Sequence, residues 1–173
     1  MSPRTAPLTR TAALEVDGGS RRADAAGEDL PRGVDLGGLT GHLGYLVRRA
    51  QLWIFQDFIR TLAILDIRPA EYSVLTVIGR NAGLKQMALA STLGIERARL
   101  VHLLDRLERR GLVQRRASAT DRRSHALHLT AKGRKMLARI EVLASEHEQH
   151  VVARVGGEHH KELLRLLALF AFG

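Results

Sequence analysis

The pattern of apolar and polar positions along the chain predicts a mainly helical protein with one short β-hairpin. Apolar residues recur at the i, i+3, i+4 and i+7 spacing of one helical face at Leu100, Leu103, Leu104 and Leu107. Gly111 follows two arginines, which is a common way for a helix to end. Residues 124–130 then alternate apolar and polar side chains, as a half-buried strand does.

Helical periodicity also predicts the elements that precede this stretch. A long helix over residues 39–65 is apolar nearly all the way round, which indicates burial from two sides, in the core together with a subunit interface or beside a ligand cavity. Pro69 begins a second helix, because proline costs little in a first turn. A short third helix is predicted from Leu84 to Gly94, and it forms a helix-turn-helix pair with the arginine-rich helix that follows.

Two further helices are predicted after the hairpin. Thr130 is the predicted N-cap of a long helix, and Gly156 with Gly157 separates this helix from a final one. The final helix is too apolar to stand alone on a monomer surface. We therefore expect it to pack against the first long helix, from a second subunit.

Composition adds a tail and excludes several classes of protein. Residues 1–34 contain almost no large apolar side chains, so we predict a disordered N-terminal tail followed by one domain over residues 35–173. The absence of cysteine excludes disulfides and thiolate metal sites. No stretch resembles a signal peptide or reaches the ~20 apolar residues of a membrane span, which predicts a cytoplasmic protein. Without a Gly-rich phosphate loop or a nucleophile elbow, we predict no enzyme, catalytic residue, metal or cofactor.

Positive charge is concentrated in the arginine-rich helix and hairpin. The chain has a formal charge of +9, and residues 94–125 carry nine arginines against four acidic residues. Clustered positive charge is typical of nucleic-acid binding, although a solvated basic surface is the alternative. A helix followed by a basic-tipped hairpin is what a winged helix-turn-helix needs to contact DNA in two grooves.

This order of elements and two motifs resemble the MarR (multiple antibiotic resistance regulator) family of bacterial transcription factors. The motifs are LDRLERRGLVQRR over residues 104–116 and ATDRRSHALHLTAKG over residues 119–133. The resemblance covers residues 39–170 and implies a mainly α fold with a β-hairpin wing. It also implies a homodimer on a pseudopalindromic double-stranded DNA operator.

The resemblance divides the chain into a DNA-binding lobe over residues 69–130 and dimerisation helices over residues 39–65 and 131–172. The chain departs from the family at Arg68, where a serine or threonine would cap the helix that begins at Pro69. This departure predicts a weaker helix start and does not affect the DNA contacts.

The predicted DNA contacts lie on the arginine-rich helix and on the wing. They are Arg97, Arg99, His102, Arg106, Arg115, Arg116, Asp121, Arg122 and Arg123. The first three are candidates for base edges in the major groove, where arginine binds guanine bidentately. The family pattern implies that Arg123 enters the minor groove, whose negative potential attracts arginine, and that Asp121 holds the wing. Arg115, Arg116 and Arg122 are assigned to phosphates, and an intramolecular ion pair is the alternative for Arg106.

The family further implies a repressor that a small molecule releases from DNA. The effector would be an aromatic acid, a phenolic or an acyl-CoA thioester, bound between the two lobes. The first long helix offers aromatic side chains and cations, which suit an anionic aromatic ligand. The predicted ligand contacts are His42, Tyr45, Arg48, Arg49, Trp53 and Phe55. A role in the core or in a surface ion pair is the alternative for each of them.

Two other functions share these sequence features. An architectural DNA-binding protein without effector control would use the same helix and wing. A zinc-responsive regulator would use His147 and His150, with His159 and His160 after the helix break. Four histidines near a helix end usually face solvent, and we predict that these do.

Overall fold

The computed structural model describes residues 33–117 and 125–172. The helices are α1 Leu43–Leu62, α2 Pro69–Arg80, α3 Gln86–Leu93, α4 Arg97–Arg109, α5 Ala131–Val155 and α6 Gly157–Phe172. The strands are β1 Leu84–Lys85, β2 Val113–Ala117 and β3 His125–Leu129, and short 3₁₀ turns lie at Gly37–Gly41 and Ala63–Leu65. All six helices and all three strands belong to one compact unit that begins at His42. The predicted fold class, mainly α with a small β-hairpin, is confirmed.

The sheet contains one strand more than the predicted hairpin. Its three strands are antiparallel in the order β1-β3-β2, so β3 lies in the centre. Leu84 lies opposite Leu127 in this sheet, and the prediction that a helix begins at Leu84 is therefore wrong by two residues. The backbone of Gly83 donates a hydrogen bond to the carbonyl of Leu127 at 2.9 Å, which holds β1 against β3.

The arginine-rich helix α4 is the second helix of the helix-turn-helix pair, which is named the recognition helix, and it packs on the core through the predicted leucine face. Leu100, Leu104 and Leu107 are fully buried, and each contributes about 1.5–3 kcal/mol by leaving water. Leu103 is only half-buried, because it lines a cavity described below. Gly94 has φ of +59°, a conformation that favours glycine, and it ends α3 just before α4 begins. The predicted helix-turn-helix is thus present.

The start of α5 is held against the segment that follows α4. The Thr130 hydroxyl oxygen accepts a hydrogen bond from the Gly133 backbone at 2.9 Å, which confirms the predicted N-cap. A Cβ atom at Gly133 would lie 2.0 Å from the carbonyl oxygen of Leu112. Only glycine permits this approach, so α5 is fixed closely to the end of the recognition helix.

The start of α2 is capped in a way that the sequence did not reveal. Arg68 supplies no side-chain cap, as predicted, but its backbone N–H donates to Glu71 Oε2 at 2.9 Å. Glu71 therefore supplies the reciprocal half of a capping box from within the helix. Its side chain is fully buried, which makes the other partner of this carboxylate important for the fold.

Apolar side chains on α1 and α6 remain uncovered in the single chain. Leu43 is 60% exposed, Phe170 is 76% exposed, and α6 contains no buried residue. An apolar surface of this extent is typical of a subunit interface. No helix in the part of the chain that the structure describes is both long and apolar enough to cross a bilayer.

Candidate DNA interface and ligand cavities

The first turns of α4 present three polar side chains to solvent. Arg97, Arg99 and His102 are exposed. Arg97 is the first residue of α4, and Arg99 and His102 lie away from its buried leucines. None of the three forms an ion pair or hydrogen bond through its side chain with another described residue. Their donors are therefore available to a DNA partner, as the predicted role requires.

Arg106 lies on the same helix but its guanidinium belongs to the fold. Its Nε atom lies 2.9 Å from Oε1 of the buried Glu71, and an Nη atom lies 3.3 Å from Asp66 Oδ1. A buried carboxylate without a cation would be costly, which explains why Arg106 turns inward. The structure thus shows the intramolecular ion pair that was the alternative for Arg106, and its contact with DNA stays a prediction.

Arg115 also pairs with carboxylates of the protein. Its guanidinium forms ion pairs with Asp105 and Glu108, both at 2.7 Å, and so ties β2 to α4. The contact of Arg115 with a phosphate stays a prediction. Arg116, the next residue, is exposed and has no side-chain partner among the described residues.

The wing tip lies outside the described residues. Asp121, Arg122 and Arg123 fall within the gap at residues 118–124, so their roles stay predictions. The two strands that flank the gap, β2 and β3, pair along their full length. The base of the predicted wing is thus present.

A first cavity, here named the basic cavity, lies between α1, the start of α2 and the recognition helix. Its volume is about 1310 Å³. It is lined by Phe55, Ile59, Arg68, Pro69, Ala70, Arg99, His102, Leu103, Asp105, Arg106, Glu108 and Arg109. Asp105 and Glu108 share the guanidinium of Arg115, and Arg106 is paired with Glu71. Arg68, Arg99 and Arg109 remain without a carboxylate partner among the described residues, and their charges favour an anion.

A second cavity, here named the aromatic cavity, lies between α1, α2 and α5. Its volume is about 810 Å³. It is lined by Ile54, Phe55, Phe58, Pro69, Ala70, Tyr72, Ser73, Leu93, Ile95, Glu141, Ala144, Ser145, His147 and Glu148. Phe55, Pro69 and Ala70 line both cavities, so the two spaces adjoin. An apolar cleft with a few polar groups is typical of a small-molecule site.

The chain is similar to known transcriptional regulators over most of its length. The sequence profile of the MarR family matches residues 65–124. A protein of Thauera aromatica assigned to transcriptional regulation of the hcr operon is 37% identical over 147 residues, which make up 84% of this chain and 88% of that protein. The chain belongs to the MarR family.

Solved structures of related repressors agree with this MarR-family assignment. The transcriptional repressor CouR bound to a 23-mer DNA duplex is 44% identical, with a TM-score of 0.77 and coverage of 80% of this chain and 98% of CouR. CouR bound to p-coumaroyl-CoA is 41% identical, with a TM-score of 0.74 and the same coverage. The predicted family and winged helix-turn-helix fold are confirmed, and this chain is a DNA-binding transcriptional regulator.

The predicted ligand contacts of this MarR-family chain are placed differently by the structure. Phe55 lines both cavities, whereas His42, Tyr45, Arg48, Arg49 and Trp53 line neither. Arg48 donates to Gln51 at 3.0 Å, and Trp53 stacks beneath Arg154 with 4.5 Å between guanidinium carbon and ring centroid. The cavities lie beside the second half of α1, and the assignment of these six residues to a ligand stays a prediction.

A buried carboxylate beside two histidines forms a cluster that the sequence did not predict. Oδ2 of Asp57 accepts hydrogen bonds from Nδ1 of His147 at 2.8 Å and of His150 at 2.9 Å. Burial raises the pKa of the Asp57 carboxyl, but hydrogen bonds from His147, His150 and Arg60 outweigh it and hold the pKa at about 2, below the ordinary 3.8. The side chain of Asp57 is therefore ionised at neutral pH.

This cluster corrects the expectation for the histidines of α5. His147 is only 5% exposed, so the prediction that it faces solvent is wrong. No group of three potential ligands among residues 33–117 and 125–172 is arranged to hold a metal ion. His159 contacts the carbonyl oxygen of Val155 and His160 contacts Glu148, so the zinc alternative has no supporting geometry in the described residues.

Proposed function

We propose that this chain is a homodimeric repressor that binds a pseudopalindromic operator and that an aromatic acyl-CoA thioester releases it. One observation carries the proposal: the aromatic cavity adjoins a basic cavity that the recognition helix itself lines. The structure of CouR with DNA supports operator binding, and the structure of CouR with p-coumaroyl-CoA supports an acyl-CoA thioester as the effector.

The DNA contacts that we propose lie on α4 and on the wing. Arg97, Arg99 and His102 read base edges, because their side chains are exposed and unengaged among the described residues. Arg116 and Arg122 bind phosphates, while Arg123 enters the minor groove and Asp121 supports the wing. This assigns the DNA-binding lobe to residues 69–130.

The homodimer is proposed from the apolar surface that the single chain leaves exposed. Leu43 and Leu46 of α1 and Leu164 and Phe170 of α6 are all more than 40% exposed, and a second copy would cover such side chains. Residues 39–65 and 131–172 then form the dimerisation helices. A dimer places two recognition helices on one operator.

The ligand proposal follows from the chemistry of the two cavities. The aromatic cavity has Phe58 and Tyr72 in edge-to-face contact at 5.7 Å, a surface on which an aryl ring packs well. The basic cavity offers Arg68, Arg99 and Arg109 to the phosphates of coenzyme A. An anion beside Arg99 competes with DNA for the same side chain, which accounts for release.

Footprinting on bound genomic fragments tests the DNA half of the proposal. We expect a protected inverted repeat whose half-sites are separated by about one helical turn, ~10 base pairs, since a two-fold dimer presents two equal helices. Uniform protection that ignores sequence would contradict an operator-specific regulator. That result would favour the architectural alternative.

A further inference from the structure

The wall of the aromatic cavity contains one polar group whose orientation is fixed by the protein. Nδ1 of His147 lies 2.8 Å from Asp57 Oδ2, and its ring packs on Phe58 with 4.8 Å between centroids. An ionised carboxylate only accepts hydrogen bonds, so Nδ1 carries the proton that it donates. The remaining ring nitrogen, Nε2, is therefore the atom of His147 that can form a hydrogen bond with a ligand.

The surroundings of Nε2 make it a candidate for ligand contact. His147 is 5% exposed and lines the aromatic cavity, and Nε2 has no hydrogen-bond partner within the residues that the structure describes. Nε2 is not a fully buried atom, so a ligand in the cavity can reach it, and a hydrogen bond there would add to the binding affinity. His150 shares Asp57 but differs, because its side chain is 54% exposed and does not line the cavity.

Most of the other polar side chains around this cavity already have partners. The Ser73 hydroxyl donates to the Pro69 carbonyl at 3.2 Å, Glu148 pairs with His160, and Glu141 lies 3.7 Å from Arg80. Tyr72 also lines the cavity, and among the lining residues it is the one aromatic side chain with a hydroxyl. Tyr72→Phe is therefore the control that tests whether this hydroxyl, and not His147, recognises the ligand.

We propose that His147, positioned by Asp57, determines effector specificity by binding a hydroxyl group on the aromatic ring of the acyl thioester. This inference rests on the proposed function and identifies the ring hydroxyl as the group of the effector that the site recognises. A ring hydroxyl both donates and accepts, so it pairs with Nε2 whether the imidazole is neutral or protonated. A ring hydrogen does neither, and a methoxy oxygen accepts but cannot donate.

Calorimetric titration of the full chain with p-coumaroyl-CoA and cinnamoyl-CoA, which differ by the ring hydroxyl, tests the proposal. The wild-type protein should bind the hydroxylated thioester about tenfold more tightly or better. His147→Phe keeps an aromatic ring but removes Nε2, and its ratio of the two dissociation constants should fall to within about twofold. His150→Gln and Tyr72→Phe should keep the wild-type ratio.

The outcomes separate the inference from the proposed function. Equal affinity of the wild-type protein for the two thioesters would overturn the role of His147 and leave the thioester effector in place. A ratio that collapses in Tyr72→Phe but not in His147→Phe would also overturn it. Failure of both thioesters to bind the wild-type protein would overturn the proposed effector and the inference with it. Because the wild-type comparison needs no variant, a folding defect in His147→Phe leaves the test intact.

Discussion

Replacing Arg106 with alanine is expected to lower the free energy of unfolding by about 3–5 kcal/mol, the cost of leaving a buried charge without its partner. Glu71 is fully buried and its Oε1 atom lies 2.9 Å from Nε of Arg106. The other oxygen of Glu71 accepts from the Arg68 backbone, so the carboxylate cannot turn to solvent without uncapping α2. Urea unfolding followed by circular dichroism measures the effect.

Two further variants make the interpretation specific. Arg109→Ala removes an equal charge from an exposed position one turn away, where Nε makes only a 3.4 Å contact with the Asp105 carbonyl, and should change stability by less than about 0.5 kcal/mol. Glu71→Gln added to Arg106→Ala removes the orphaned charge and should restore part of the loss. Equal free energies of unfolding for Arg106→Ala and Arg109→Ala would show that the ion pair between Arg106 and Glu71 does not stabilise the fold.

Replacing Arg99 with alanine should have the opposite profile, with weaker operator binding and unchanged stability. The Arg99 side chain is exposed and makes no side-chain contact with another described residue, so its removal costs the fold little. Losing one base contact costs about 1–3 kcal/mol at each half-site, and a dimer with two half-sites should bind roughly thirtyfold more weakly or worse. Fluorescence anisotropy with labelled operator at fixed salt gives the dissociation constant.

Arg139→Ala is the matched control for Arg99→Ala. Arg139 is an exposed arginine of α5 without a side-chain partner among the described residues, so the change in net charge is the same. Its operator affinity should stay within about twofold of the wild type, because nonspecific attraction to DNA depends only weakly on one distant charge. Equal affinities for the two variants would show that α4 does not read the operator through Arg99.

Local patterns predicted the elements well and their pairing less well. The leucine face of α4 and the Thr130 cap are encoded by residues within a few positions of one another, and both are confirmed. The two-residue strand at Leu84 depends on Leu127, its partner far along the chain, so periodicity alone assigned it to a helix.

The same limit explains why the sequence does not show which arginines form ion pairs within the chain. Arg99 and Arg106 both lie off the leucine face in the sequence, and their charges look equivalent. What separates them is Glu71, which a different helix brings beside Arg106. A carboxylate three residues after Arg68 at a predicted helix start was the available signal, because it marks a capping box and hence a carboxylate held in place.

The ligand site was partly predictable for a related reason. Aromatic residues on the first long helix indicated a cavity, but only the chain's packing shows that the second half of α1 borders it. The Asp57–His147 contact joins positions 90 residues apart, and neither residue stands in a recognisable motif. The Asp57 side chain on an otherwise apolar helix face was the one hint of a buried polar contact.

The most direct test of the central claim is a titration of the operator complex with p-coumaroyl-CoA, followed by fluorescence anisotropy. We expect complete release by the thioester and far weaker release by coenzyme A or p-coumarate alone, because each fragment occupies only one of the two adjoining cavities. An operator complex that is unchanged at a saturating concentration of bound thioester would contradict the account.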